Sequence, residues 1–267
     1  MSNDSSRQFV RWSAEHGVAT VTVDRPPLNP LSHRVKAELL DCVEELAADP
    51  GIRCLILYGA GGRAFSVGAD IKEFPEITAK RQGRQHATQE HALYNRIDFF
   101  PVPTIAAIEG HCLGGGMELA LACDLRVASE TSRLGLPEVK LGVFPAGGGT
   151  ERLPRLIGEA RARELIYTGE PVDAREAWRL GLVNRLAPAG QALAQAQELG
   201  RAIATQSGHT LRTVKTVLDR GLCMDLLTAQ QVSIDAISEL FQSEAVQEGV
   251  RAFLEKRSPK PQAGTQS

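Results

Sequence analysis

The stretch that most constrains the fold covers residues 104–124, where a short apolar run, a glycine-rich turn and a helix-forming segment follow one another. Residues 104–108 have the composition of a buried strand. Three consecutive glycines at 114–116 allow a sharp turn and a close approach of the backbone to a ligand. Residues 117–123 are almost all strong helix formers. The sequence therefore predicts a strand, a tight turn and a helix in direct succession.

The beginning of this predicted helix is a candidate functional site. The first N–H groups of a helix have no intrahelical partner and carry the positive end of the dipole, so they suit an anion or a developing oxyanion. Glu118 lies in this first turn and is a candidate acid or base. A triple glycine and a first-turn glutamate also occur in ordinary turns and helices, which leaves a purely structural role equally open. The spacing matches neither a dinucleotide-binding G-x-G-x-x-G nor a phosphate-binding P-loop.

Composition limits the class of protein. The 267 residues suffice for one large domain or one domain with an appendage, and 43 % hydrophobic with 23 % charged residues is ordinary for a globular chain. A net charge of −2 argues against non-specific nucleic-acid binding. We expect no signal peptide and no membrane-spanning segment, and hence a cytoplasmic protein. The odd number of cysteines and the lack of C-x-x-C spacing favour reduced thiols over disulfides or a zinc site. These cysteines are Cys42, Cys54, Cys112, Cys123 and Cys223.

The first part of the chain alternates between predicted strands and helices. Residues 8–14 and 17–23 form a hairpin pattern, and Ser32 has the character of an N-cap for the helix that follows. A strand at 52–58 leads into a second glycine-rich loop over 59–74, a second place where backbone N–H groups could converge on a ligand oxygen. A polar helix is predicted over 78–99. This alternation predicts an α/β fold with mostly parallel strands.

The chain changes character after Gly158, where helical patterns dominate. We predict helices and no strand beyond residues 183–185. The domain prediction is an α/β core over residues 1–190 and a helical region over residues 191–267. Long amphipathic helices of this kind need a surface to cover, which is either the α/β body or a neighbouring subunit. The predicted helices cover 159–167, 173–180, 190–206, 208–220, 225–241 and 244–255.

Several blocks of the sequence resemble the enoyl-CoA hydratase/isomerase (crotonase) family, in the family's order and over nearly the whole chain. These blocks are residues 64–74, 110–124, 136–145, 147–153, 181–183 and 248–257. The resemblance implies the ClpP/crotonase fold of repeated ββα units with a helical C-terminal trimerisation region, and an assembly that is a trimer or a dimer of trimers. It also implies an acyl-CoA thioester substrate, with no metal and no separate cofactor.

The resemblance assigns the catalytic groups. The thioester carbonyl is expected between the backbone N–H groups of Ala69 and Gly115, one from each glycine-rich loop. Such a donor is typically worth about 3–4 kcal/mol of barrier. The two catalytic glutamates correspond to Glu118, expected to activate water, and Glu138, expected to protonate Cα. Because coupled carboxyls share their titration, which of the two is acid and which is base stays open.

Contacts with coenzyme A are implied along the same blocks. At position 146 many hydratases have a glycine whose N–H faces the water, and we expect alanine there to restrict φ. Lys72 has a surface charge as its alternative role, and Phe253 and Lys256 are expected to reach the CoA of another subunit. The predicted substrate-binding residues are Arg25, Leu28, Gly68, Ala69, Asp70, Ile71, Lys72, Gly114, Gly115, Ala146, Phe253 and Lys256.

Filling both glutamate positions favours hydration of a 2-enoyl-CoA to a 3-hydroxyacyl-CoA. The nearest alternative is an enoyl-CoA isomerase or another crotonase reaction on a branched or cyclic acyl-CoA. A more remote alternative is a non-catalytic protein that binds CoA or RNA. The pair of glutamates and the slight negative charge argue against the last of these.

Overall fold

A computed structural model describes residues 7–257 and confirms the prediction of an α/β fold. Over these residues the strands are β1 (Val10–Glu15), β2 (Val18–Val23), β3 (Cys54–Gly59), β4 (Ala64–Ser66), β5 (Thr104–Ile108), β6 (His111–Leu113), β7 (Leu125–Ser129), β8 (Arg133–Gly135), β9 (Val172–Asp173) and β10 (Arg185–Ala187). The helices are α1 (His33–Ala47), α2 (Phe74–Ala79), α3 (Gly83–Asp98), α4 (Gly115–Leu121), α5 (Gly149–Ile157), α6 (Glu159–Thr168), α7 (Ala174–Arg179), α8 (Ala192–Ala204), α9 (Gly208–Gly221), α10 (Leu226–Phe241) and α11 (Glu244–Leu254).

The strands form two sheets that share a repeated pattern. The larger sheet has the order β1-β2-β3-β5-β7-β10 and is parallel apart from the β1–β2 hairpin, and the smaller has the order β4-β6-β8-β9. The pairs β3–β4, β5–β6 and β7–β8 each place one strand in each sheet before the chain enters helical segments. Since β4, β6 and β8 are parallel neighbours, the turns that follow them lie at one edge of the smaller sheet.

Helix α1 follows its sequence prediction. The Ser32 side chain accepts a hydrogen bond from the Val35 N–H, so it caps the helix as expected. Val35, Leu39, Val43 and Leu46 are fully buried on one face of the helix. That face covers the larger sheet, and α3 packs beside α1.

Two predictions of secondary structure need correction. The single helix expected over 78–99 is two helices, α2 and α3, separated near Arg81, which has a positive φ of 52°. The last predicted strand, at residues 183–185, is displaced by two residues, because β10 covers Arg185–Ala187, where it pairs in parallel with β7. After β10, the described residues contain only helices and their connections. The strands that the sequence missed are two or three residues long, too short to produce a hydrophobic period, and main-chain pairing defines them.

The C-terminal helices fall into two sets. Helix α8 packs on β3, β5 and β7, where Ala196 and Ala204 join Ile56 and Ile105 in a second apolar cluster. Helix α9 packs on α10, and α10 on α11, and this second set carries many exposed apolar side chains. They include Leu218, Leu222, Leu226, Leu227, Ile234, Phe241, Phe253 and Leu254. The division of the chain at residue 190 stays a prediction. Within residues 7–257, no helix has the length and apolar character that crossing a membrane requires.

Candidate active site

The two glycine-rich turns predicted from the sequence lie directly against each other. A Cβ atom on Gly68, which has a φ of +88°, would stand 2.6 Å from the Gly115 nitrogen. A Cβ atom on Gly115 would stand 3.4 Å from the Ala69 nitrogen. Only glycine at 68 permits this approach, because any side chain there would strike the backbone of the second turn. The contact brings the N–H groups of Ala69 and Gly115 to one place.

Both N–H groups are available to a ligand. Gly115 is the first residue of α4, where helix geometry leaves the N–H without an intrahelical acceptor. Neither the Ala69 nor the Gly115 N–H donates to an oxygen of residues 7–257. The positive end of the α4 dipole adds to the attraction for negative charge. Their role as thioester ligands stays a prediction, and the geometry is compatible with it.

Glu118 lies in the first turn of α4 and is only 3 % exposed. Its Oε1 accepts hydrogen bonds from the N–H groups of Gly147 (2.8 Å) and Gly149 (2.9 Å), which belong to the loop before α5 and its first residue. No residue of 7–257 donates to Oε2. Burial, and then the nearby negative charge of Glu138, raise the pKa of Glu118 to about 8, while the two backbone hydrogen bonds act in the opposite direction.

Glu138 stands at the start of a 3₁₀ turn, Glu138–Leu141, that follows β8. Both of its carboxyl oxygens are buried, and neither has a hydrogen-bond partner among residues 7–257. Oε1 lies 3.2 Å from the position that a Cβ on Gly114 would take, so the carboxyl faces the glycine turn. Burial, and then the negative charge of Glu90, raise the pKa of Glu138 to about 7. A buried polar group without a partner in a native fold is a common mark of function.

Tyr94 is a residue of the site that the sequence reasoning missed. It is fully buried on α3, and its hydroxyl donates to the Gly115 carbonyl at 3.1 Å. A Cβ atom on Gly147 would stand 2.5 Å from Tyr94 Cε2 and 2.7 Å from Glu118 Oε2. The ring and the second glutamate oxygen thus converge on Gly147. The sequence contains only a weak indication of this role. Tyr94 and Glu90 are polar residues on the same helix face as the apolar Leu93 and Ile97.

Several of the predicted CoA-binding residues cluster around the first turn. Arg25 and Asp70 form an ion pair at 2.7 Å, and Asp70 also accepts from the Lys72 N–H at 3.2 Å. The Leu28 carbonyl accepts from the Val67 N–H at 3.2 Å, which ties the loop after β2 to the turn after β4. Ile71 and Lys72 are exposed beside this cluster. The structure therefore brings together one group of these residues, whose contact with CoA stays a prediction.

Three predicted substrate-binding residues remain. Ala146 lies at the site, whereas Phe253 and Lys256 lie on and after α11. Ala146 lies in the loop that holds Glu118, and its φ is not positive, so the Cβ is accommodated without strain. The N–H groups that this loop directs at Glu118 come from Gly147 and Gly149. Phe253 is 82 % exposed on α11, and Lys256 follows that helix with a φ of 52°. Their contact with the CoA of another subunit stays a prediction.

Three further side chains near the glycine turn, His111, Cys112 and Cys123, have no feature of a reactive group. His111 is exposed at the start of β6. Cys112 and Cys123 are buried, and burial raises the pKa of both thiols, which disfavours the thiolate. Over the described range 7–257, no three His, Cys, Asp or Glu side chains form a group that could hold a metal ion.

Comparison with known proteins places this site in a family. A profile described as Enoyl-CoA hydratase/isomerase matches residues 13–263. A protein described as a probable enoyl-CoA hydratase of Bacillus subtilis is 42 % identical over 251 residues, covering 94 % of this chain and 97 % of the relative. The short-chain-enoyl-CoA hydratase of Clostridium acetobutylicum is 37 % identical and covers 91 % and 93 %.

Solved structures agree with the sequence comparison. The crystal structure of enoyl-CoA hydratase from Bacillus anthracis superimposes with a TM-score of 0.91 at 37 % identity, covering 95 % of this chain and 98 % of the other. The fold is therefore crotonase-type, as the resemblance implied. The profile match and the relatives agree along nearly the whole length, and this chain belongs to the enoyl-CoA hydratase/isomerase family.

Proposed function

We propose that this protein is an enoyl-CoA hydratase, a hydro-lyase that adds water to a 2-enoyl-CoA thioester and gives a 3-hydroxyacyl-CoA. The observation that carries the proposal is the position of two buried carboxyls, Glu118 and Glu138, beside the unpaired N–H groups of Ala69 and Gly115. The relatives described as enoyl-CoA hydratases support it.

The backbone donors account for the activation of the substrate. When hydroxide adds at Cβ, negative charge moves through the conjugated system to the thioester oxygen. The Ala69 and Gly115 N–H groups would form an oxyanion hole that receives this charge at the N-terminus of α4. Each such donor typically lowers the barrier by about 3–4 kcal/mol. No redox cofactor and no metal is required for this step.

The two carboxyls account for the movement of protons. Glu118 Oε1 is fixed by two N–H donors, which leaves Oε2 as the oxygen that can take a proton from water. The hydroxide then forms the C–O bond at Cβ, and protonated Glu138 delivers its proton to Cα. The raised pKa values, about 8 for Glu118 and about 7 for Glu138, keep about one proton in the pair between pH 7 and 8. Because Glu118 has the higher pKa, hydration proceeds from the less populated form of the pair, in which Glu138 holds the proton and Glu118 is ionised. This sequence consumes one proton from Glu138 and returns one to Glu118, so proton exchange resets the pair.

The principal alternative is another reaction of the same family, namely migration of a double bond or hydration of a branched or cyclic enoyl-CoA. Isomerisation needs only one carboxyl to move a proton between two carbons. A more remote alternative is a protein that binds CoA or RNA without turnover. The partnerless Glu138 argues against the last alternative, because a carboxyl buried without a donor destabilises a fold that has no use for it.

The test is the loss of the conjugated-enoyl absorbance of crotonyl-CoA, with the mass of the product measured beside it. We expect rapid loss and a product heavier by one water with the wild type, and neither with the double variant E118Q/E138Q. A 3-enoyl-CoA supplied separately distinguishes the isomerase, which would generate conjugated absorbance without a gain of mass. Absence of turnover on both substrates by folded wild type would contradict the proposal.

We also propose that the protein acts in the cytoplasm as a homo-oligomer, a trimer or a dimer of trimers. The exposed apolar side chains of α10 and α11 support an interface there, since so many large apolar side chains exposed to water on two packed helices are a mark of an interaction surface. Light scattering during gel filtration measures the assembly. A monomer at micromolar concentration would contradict this part of the proposal.

A further inference from the structure

We infer that Tyr94 is a positioning residue for the hydration reaction: its hydroxyl orients the backbone of Gly115, and its ring fixes the loop that holds Glu118. The inference rests on the proposed function, because it assigns a role relative to the oxyanion hole and the water-activating carboxyl. Tyr94 comes from α3, whereas Gly115 begins α4 and Gly147 precedes α5. One side chain therefore joins two separate ββα units at the site.

The hydroxyl acts on the residue whose N–H is the proposed donor. The Tyr94 O–H donates to the Gly115 carbonyl at 3.1 Å. Helix α4 begins at Gly115, between Gly114 and Gly116, so no side chain of these three residues holds the backbone where the helix starts. A hydrogen bond from a buried side chain restrains the peptide group that joins Gly115 to Gly116. Through the torsion angles at the Gly115 Cα, it limits the direction of the Gly115 N–H in the preceding peptide group.

The hydroxyl stays a donor under all ordinary conditions. Burial, and then the negative charges of Glu90, Glu118 and Glu138, hold the pKa of Tyr94 well above its usual value. The neutral phenol therefore persists, and it offers one O–H to the Gly115 carbonyl. Loss of the hydroxyl group, as in phenylalanine, removes the restraint and preserves the ring.

The ring acts on the loop. Tyr94 Cε2 lies 2.5 Å from the position of a Cβ on Gly147, and the Tyr94 hydroxyl oxygen lies 3.1 Å from that of a Cβ on Gly115. The aromatic side chain thus fills the space between the two segments. The Gly147 N–H donates to Glu118 Oε1, so a displacement of this loop moves the carboxyl as well.

The helix that carries Tyr94 is firmly anchored. Leu93, Tyr94 and Ile97 are at most 1 % exposed. One turn earlier, Glu90 is paired at 3.1 Å with Lys36 of α1, and both partners are 6 % exposed. A tyrosine side chain has only two torsion angles, and that of Tyr94 is fully buried. The position of its hydroxyl is therefore fixed by the position of α3.

The decisive variant is Tyr94→Phe, with Tyr58→Phe as the matched control. Tyr58 is a half-buried tyrosine on β3 whose hydroxyl bonds to no residue of 7–257. We expect Y94F to lower kcat for crotonyl-CoA by roughly 3- to 10-fold, as for loss of one neutral hydrogen bond, with KM nearly unchanged. Y58F should match the wild type in both constants.

A spectroscopic readout separates positioning from mere stability. Butyryl-CoA, labelled with ¹³C at the thioester carbonyl, cannot be hydrated, and its carbonyl stretch moves to lower frequency when N–H donors polarise it. We expect a smaller shift with Y94F than with the wild type or Y58F. An unchanged kcat together with an unchanged shift would overturn the inference and leave Tyr94 as a packing residue.

Two further outcomes are informative. If Y94F does not fold, 3-fluorotyrosine at position 94 replaces it, because this residue keeps the ring and the hydroxyl and is a stronger hydrogen-bond donor. It should retain or enlarge the shift of the carbonyl stretch. A smaller shift would overturn the inference. If the wild type polarises butyryl-CoA but hydrates nothing, the proposed function fails while the role of Tyr94 is still judged by the carbonyl band.

Discussion

Glu109 and Glu118 are nine residues apart and alike in burial, yet their carboxyl groups are held in different ways. Glu109, 6 % exposed, receives the Gly190 N–H on Oε1 at 3.0 Å and the Ala192 N–H on Oε2 at 3.2 Å. Glu118 receives both of its N–H donors on Oε1 alone. Glu109 thereby fastens the start of α8 with both oxygens. Glu118 is fixed by the same number of donors, and its Oε2 accepts no hydrogen bond from residues 7–257, which leaves this oxygen for the proposed activation of water.

Glu138 differs from both of these glutamates in the hydrogen bonding of its carboxyl group. Neither of its oxygens has a donor among residues 7–257, although both are buried. The three glutamates thus form a series with two, one and no oxygens occupied by the protein. A carboxyl that only stabilises a fold is expected to be fully satisfied, whereas one that must exchange protons with a substrate has to leave oxygen atoms free.

The largest expected effect separates Glu118 from Glu109. We predict that Glu118→Gln lowers kcat for hydration of crotonyl-CoA by about 10³-fold, because the amide cannot accept a proton from water. Glu109→Gln is the matched control, since it changes a buried glutamate with two backbone donors outside the site. Stopped-flow absorbance on folded protein measures both. A loss of kcat in E109Q comparable to that in E118Q would break the comparison.

The next effect concerns the glutamate with no partner. We predict that Glu138→Gln lowers kcat by about 10²-fold, because Cα then receives its proton from water instead of a positioned acid. Exchange of the Cα proton of butyryl-CoA with deuterated solvent, followed by NMR, should slow in the same variant. Glu170→Gln is the control on an exposed carboxyl that pairs with Lys140. Wild-type exchange in E138Q would assign Cα protonation to another group.

A smaller effect is expected where Glu118 Oε2 and Tyr94 converge. Gly147→Ala places a methyl group 2.5 Å from the ring and 2.7 Å from the carboxyl oxygen, so both must move. We predict a loss of about 1–3 kcal/mol in the free energy of unfolding, typical of overpacking, and a fall in kcat. Gly83→Ala is the control, because its Cβ would meet nothing within 4 Å. Unchanged stability and kcat in G147A would show that this contact has room to relax.

The sequence predicted those parts of the site that depend on local pattern. The strand, glycine turn and helix around residues 104–124 were recognisable because apolar run, glycine triplet and helix formers each leave a local mark. The Ser32 cap was recognisable for the same reason. The family resemblance then placed Glu138, whose surroundings alone favour an exposed loop. What local pattern conveys is therefore the existence of elements and their termini.

The parts that could not be predicted depend on contacts between distant segments. Tyr94 is separated from Gly147 by more than fifty residues, and no periodicity distinguishes it from any other aromatic on a buried helix face. The short strands β4, β6 and β8 exist because they pair with one another, not because three residues have a strong β-propensity. The different hydrogen bonding of the Glu109 and Glu118 carboxyl oxygens could not be predicted either. Both residues are glutamates, and their donors come from distant segments of the chain.

The smallest predicted effect is on the free energy of unfolding, and it tests the raised pKa values of Glu118 and Glu138. Burial raises the pKa of Glu118 to about 8 and of Glu138 to about 7, so between about pH 4.5 and these values the folded state holds protons that the unfolded state releases. The free energy of unfolding of the wild type therefore falls as pH rises through that window. A glutamine at either position has no such dependence.

We therefore predict that E118Q becomes more stable relative to the wild type by about 1 kcal/mol for each pH unit between pH 5 and 7. The difference should level off near pH 8 for E118Q and near pH 7 for E138Q. Urea denaturation at a series of pH values and one fixed protein concentration measures it, since assembly also contributes to stability. Because the negative charge of Glu138 raises the pKa of Glu118, E138Q should also lower the pH at which the Glu118 contribution levels off. A difference independent of pH would mean that burial leaves both carboxyls ionised near neutrality, and the shared proton on which the proposed mechanism depends would be absent.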